Sequence, residues 1–146
     1  MRLLLGMTAA VFGLAACGPR DVVDETYADL ADATSKGAIR EGGWLPSFLP
    51  PSSSNIRLRY NLDTNEVWAS LNWDGVNRGS LDESCKRAEI GQAQFPQRAP
   101  SWWPQEMTRG AAKTPTAAEM EILECAERGL VALKRDQKRA YYWSNG

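Results

Sequence analysis

The chain has 146 residues, with 17 basic and 18 acidic side chains, so it is near neutral. No basic stripe marks a nucleic-acid surface, so no nucleic-acid partner is expected, and no block of like charge marks a disordered tail. Histidine is absent, which removes the usual general base, the commonest transition-metal ligand and the ordinary near-neutral pH switch.

Met1-Arg2 is a minimal positive start, and Leu3 to Leu14 is an uncharged apolar run of twelve residues. That run is too short to span a bilayer as a helix but suits the apolar region of a signal peptide. It leads into "LAAC", Leu14 to Cys17, with small residues before a cysteine as in the bacterial lipobox. The expectation is a lipoprotein signal peptide over 1–16 and cleavage before Cys17. The thiol then carries diacylglycerol and the new amine an acyl chain such as palmitate. The competing reading is an ordinary secretory signal with an incidental cysteine. Two or more acyl chains hold a protein stably on a membrane that it does not span. Residues 17–22 are then a lipidated tether, and 23–146 a single globular domain large enough for a real core. Gly18, where an Asp would direct retention, points to the outer membrane, with the domain facing the periplasm.

Over Asp24 to Ile39, the residues Tyr27, Leu30, Ala31 and Thr34 fall at helical spacing. Asp24 is a plausible cap and Gly37 a stop, which predicts an N-terminal helix. The next stretch, "GWLPSFLPPSSSNI", carries Pro46, Pro50 and Pro51. Prolines lack a donor and restrict their predecessors, so no regular element crosses it beyond a short turn at 52–55. Its Trp44, Leu45, Phe48 and Leu49 suit a strap over an apolar face.

Two period-two runs follow, and together they predict an antiparallel hairpin over 56–73. Ile56, Leu58, Tyr60 and Leu62 alternate with Arg57, Arg59 and Asn61. Val67, Ala69, Leu71 and Trp73 alternate with Trp68, Ser70 and Asn72. With "DTNE" (63–66) as the turn, Leu62 pairs with Val67, Tyr60 with Ala69, Leu58 with Leu71 and Ile56 with Trp73. Every apolar partner then shares one face. Trp68 falls on the polar face opposite Asn61, either as an exposed ligand platform, or as a cross-strand platform for Arg59 or a contact with another segment.

Ser80 and Glu83 have capping-box spacing and predict a helix over about 81–90 that carries Cys85. Cys85 and Cys125 lie in a chain expected to reach an oxidising compartment, so a disulfide is the default. Residues 91–115 contain four prolines and the adjacent Trp102 and Trp103. So long an aperiodic loop either folds over a core or serves a partner. Propensity favours helix over 117–128, although "MEILECA", "LVALK" and "RAYYW" are each strand-length.

The combination "GWLP…LPPSSSNI…DTNEVW" with a terminal "RAYYWS" resembles small lipoproteins of Gram-negative bacteria related to the YbbD head domain. The matching positions are Gly43, Trp44, Leu45, Pro46, Leu49, Pro50, Ile56, Asp63, Thr64 and Asn65. Trp102, Trp103, Pro104 and the closing Tyr141, Tyr142 and Trp143 extend the likeness. The resemblance implies a C-terminal meander of strands over about 119–143, in place of the helix, and supplies no catalytic residue. The expected fold is therefore a single α+β domain: an N-terminal helix, an antiparallel sheet and a long Pro/Trp-rich loop.

Chemistry offers little purchase. Ser52, Ser53 and Ser54 have no histidine partner, and no glycine-rich phosphate loop or metal cluster is present, so no cofactor or metal is expected. Asp63, Glu66, Asp74, Asp82 and Glu83 sit near turns or a helix start, where capping and solvated roles are ordinary. The reading is a non-catalytic, lipid-anchored envelope domain that binds another envelope protein or a wall component such as peptidoglycan. Trp102, Trp103 and Trp68 are its candidate binding residues. The alternative is a small periplasmic hydrolase or enzyme inhibitor that uses two converging carboxylates.

Overall fold

The computed structural model describes residues 21–126 and 129–146. The expected signal peptide and Cys17 lie outside the described residues. Seven strands among the described residues form one antiparallel sheet: β1 (Val22–Asp29), β2 (Ser54–Asn61), β3 (Glu66–Asn72), β4 (Cys85–Ala88), β5 (Glu121–Cys125), β6 (Leu130–Lys134) and β7 (Arg139–Asn145). Their spatial order is β1-β2-β3-β7-β6-β5-β4. The two α-helices among the described residues are short, α1 (Leu30–Ser35) and α2 (Leu81–Ser84), so the domain is mostly β and the expected α+β balance holds only in part.

The N-terminal helix is the first correction. Residues 22–29 form a strand instead, paired with β2 so that Tyr27 lies opposite Ile56. Val22, Val23, Thr26 and Tyr27 all favour extended backbone, and the alternation places Tyr27 in the core. Only α1 remains helical. Its cap is Asp29 rather than Asp24: Asp29 Oδ1 accepts from Asp32 N at 2.8 Å, and Asp32 Oδ2 accepts from Ala28 N at 3.0 Å. Gly37, at φ +80°, follows the helix as expected.

The hairpin forms, but its register differs by two residues. Tyr60 pairs with Val67, Leu58 with Ala69 and Arg59 with Trp68. The turn closes on Asn61, whose side-chain oxygen accepts from Asp63 N at 2.9 Å and Thr64 N at 3.2 Å. Asn65, at φ +57°, donates its N–H to Asn61 O at 2.9 Å. The loop is therefore 62–65, and Leu62 is turned out to 52% exposure. A shift of two preserves side-chain parity, so Ile56 and Leu58 still meet the core.

The helix predicted over 81–90 stops at Ser84, and Cys85 opens edge strand β4, directly opposite Cys125 of β5. Ser80 caps α2 without a side-chain hydrogen bond. The helix favoured over 117–128 is reduced to a single turn. Thr116 donates through N and Oγ1 to Glu119 Oε2, each at 2.9 Å, and the chain enters β5 at Glu121. The meander β5-β6-β7 follows the resemblance.

The sheet is covered on both faces. On one, the strap buries Leu45, Phe48 and Leu49 against Ile56, Leu58, Leu71 and Tyr142, and Trp44 stacks on Tyr60 with centroids 4.3 Å apart. On the other, the Pro/Trp-rich loop folds back and buries Phe95, Trp103 and Met107 against Trp68, Ile122, Ala132, Tyr141 and Trp143. Strands buried on both sides need apolar residues at successive positions, as Ala140–Trp143 provide.

Candidate functional site

The second core decides the fate of the candidate tryptophans. Trp68 is 5% exposed and lies across from Trp143 on one side and Arg59 on the other. Its expected partner Asn61 is corrected to Arg59 by the register, and the loop over 89–120 covers it, as in the reading that makes Trp68 a contact with another segment. Trp103 is also buried. Its indole donates to Met107 O at 3.0 Å, and its ring meets Tyr141 and Trp143 edge-on at 5.4 and 5.9 Å.

Trp102 behaves differently. Trp102 sits in a turn closed by Trp103 N donating to Pro100 O at 3.0 Å, and its ring stays half-buried at the margin of the same core, 6.1 Å from that of Trp103. The Arg57 guanidinium lies 5.1 Å from its ring centroid, the arrangement of a cation over an aromatic face. Arg57 is exposed and belongs to the half of the sheet face that the loop leaves open. There β1 and β2 present Thr26 beside Arg57 and Asp24 beside Arg59. Arg59 Nε donates to Asp24 Oδ1 at 2.8 Å, and that bond holds the Asp24 carboxyl below the usual range. Arg57 forms no ion pair among the described residues, so its charge faces outward beside the Trp102 ring.

The candidate carboxylates are dispersed. Glu66 accepts from Thr64 Oγ1 at 2.7 Å within the hairpin turn that also holds Asp63. Asp74 accepts from Val76 N and Asn77 N at 2.8 Å each, which lowers its pKa. Asp82 pairs with Arg78 at 2.7 Å, one turn apart, while Glu83 is exposed. Asp63 and Glu66 share the hairpin turn and Asp82 and Glu83 share α2, and among the described residues no group of three carboxylates gathers as a metal site. Cys85 and Cys125 are joined as a disulfide; Cys17, the lipidation candidate, is outside the described residues.

Other charged groups were not legible as a cluster. Lys134 Nζ lies 2.7 Å from Glu106 Oε1, with only 9% of the lysine side chain exposed. The two sit beside Lys113, Glu119 and Asp136 in an open cleft of about 340 Å³. The lysine reads as the polar end of an apolar strand, and nothing in the spacing of Glu106 in a loop announces the pairing.

Among known proteins, the family model of the YbbD head domain matches residues 21–72. No curated protein and no solved structure matches the chain. The matched segment runs from β1 through α1 and the strap to the end of β3, so the first three strands and the strap over them carry the YbbD head-domain pattern.

Proposed function

We propose that this is a lipid-anchored envelope domain without catalytic activity, held at Cys17 on the periplasmic side of the outer membrane. In this reading it binds another envelope protein, or a wall component such as peptidoglycan, through the surface of Trp102 and Arg57. The observation that carries the reading is the split of the tryptophan pair: Trp103 is committed to the core, while Trp102 stands half-open under an outward-facing arginine. Tryptophan and arginine are the residues most enriched among the anchors of protein interfaces. A flat aromatic ring next to a cation also suits the carboxylates and sugar rings of a wall polymer. The engagement of Glu66, Asp74 and Asp82 in local turns or ion pairs favours binding over carboxylate catalysis.

The test is crosslinking and affinity capture from native envelopes, alongside co-sedimentation with purified sacculi. Wild-type chain is compared with Trp102→Ala and Arg57→Ala. Arg57 is exposed and Trp102 only half-buried, so both variants are first checked for a retained fold by thermal unfolding, and in folded protein capture or co-sedimentation falls at least tenfold. Equal recovery of the same partners by all three chains rejects this surface.

A further inference from the structure

Three large apolar side chains stand exposed among the described residues: Val22 at 44%, Leu62 at 52% and Val76 at 81%. Two of them share one end of the sheet. Val22 opens β1 opposite Asn61, and Leu62 N donates to Asp21 O at 2.7 Å. Leu62 is exposed for a definite reason. The side chain and carbonyl of Asn61 close the turn one residue early and turn Leu62 out of the alternation. Val76 lies beyond the opposite end, past the close of β3.

This end is also where the chain departs for Cys17. Asp21 is fixed to Leu62, and only four residue steps separate it from Cys17. Such a segment reaches at most about 14 Å, whatever its conformation. The glyceryl group on Cys17 would lie at the bilayer interface, whose headgroup layer is several ångströms deep. Val22 and Leu62 cannot then stand far from that layer, and their apolar groups gain by entering it.

We propose that the sheet end formed by Val22 and the 62–65 turn is a membrane-contacting surface, with Leu62 and Val22 seated in the lipid interface beside the anchor. This rests on lipidation of Cys17. The occupant is a zwitterionic lipid surface, because Asp63 and Glu66 flank the turn and would be repelled by anionic headgroups. Strand β1 leads away from that surface for about 24 Å, which directs α1 and the Val76 loop toward the periplasm and leaves the Trp102–Arg57 face to the side.

The test uses full-length, lipidated protein with Leu62→Cys, Val22→Cys or Val76→Cys carrying a nitroxide, reconstituted in phosphatidylethanolamine–phosphatidylcholine vesicles. Flotation comes first, and failure to float overturns the anchor and the proposal together. In protein that floats, the labels at 62 and 22 should show an oxygen-to-nickel-chelate accessibility ratio at least fivefold above that at 76. Labels at 62 and 22 as open to the aqueous chelate as the label at 76 overturn the contact while leaving the anchor intact.

Discussion

Trp68 of β3 lies directly across from Trp143 of β7, on a sheet face whose polar half-pattern suggests solvent. Both rings are buried, but their donors are not equally served. Trp143 donates to Gln94 O at 3.0 Å and Trp103 to Met107 O at 3.0 Å, whereas the buried Trp68 Nε1 has no partner among the described residues. A buried unsatisfied donor carries a desolvation penalty that a phenyl ring does not. Trp68→Phe should therefore destabilise less than Trp103→Phe, by about 1 kcal/mol, in denaturant unfolding. Equal losses would show that the Trp68 donor is satisfied.

The strap depends on Gly43. A Cβ there would fall 2.4 Å from Ala38 O and 3.0 Å from Arg40 N and O, all backbone atoms. The fold fixes that approach: Gly43 N donates to Arg40 O and Leu45 N to Ala38 O. Gly43→Ala should cost about 1–3 kcal/mol, the range for overpacking a closed site. Gly91→Ala, with nothing within 4 Å of its Cβ, should be near neutral. Comparable midpoints for the two variants in urea would refute this placement of the strap.

The disulfide clamps an edge. It joins β4, four residues long, to β5 across a sequence separation of 40. A loop of that length corresponds to about 4 kcal/mol in the chain-entropy model. The Cys85→Ser, Cys125→Ser double variant should lose stability of that order. Its amide exchange should rise first in β4, since that edge strand pairs with β5 on one side only. Uniform acceleration over all strands would contradict a local clamp.

Glu106 gives a pH signature. Its hydrogen bond from Lys134 holds its carboxyl below the usual range, with burial opposing. A carboxylate depressed in the folded state contributes stability that is fully present above its unfolded pKa of about 4.3 and is lost as pH falls through the folded value. The Tm gap between wild type and Glu106→Gln should be constant from pH 8 to about 5.5 and should narrow steadily below about pH 4. A gap that widens on acidification would reverse the assignment.

Legibility followed local determinacy. The β2–β3 hairpin was visible because period two repeats on both runs; its register was not, because Asn61 and Leu62 compete to close the turn and only the side-chain bonds of Asn61 decide it. The strap could be assigned from its prolines and large apolar residues. Strand β1 reads as helix in the sequence because Tyr27, Leu30, Ala31 and Thr34 fit a helical face, and the pairing with β2 that overrides it is non-local. The burial of Trp68 is hidden for the same reason. A covering loop contributed from residues 89–120 leaves no mark on the pattern of β3, although the consecutive aromatic residues Tyr141, Tyr142 and Trp143 signal a sheet buried on both faces. Which of Trp102 and Trp103 turns inward is not written in the sequence, and the partnership of Trp102 with Arg57 cannot be inferred from residues 45 positions apart.

The central claim is that Trp102 and Arg57 form the contact surface of an anchored domain. Its most direct test replaces Trp102 with a photo-crosslinking aromatic residue in living cells, with Val76 replaced in parallel. The account predicts a discrete crosslinked species at 102, dependent on light and abolished by Arg57→Glu, and none at 76. No adduct at 102, or the same adducts at both positions, would contradict it.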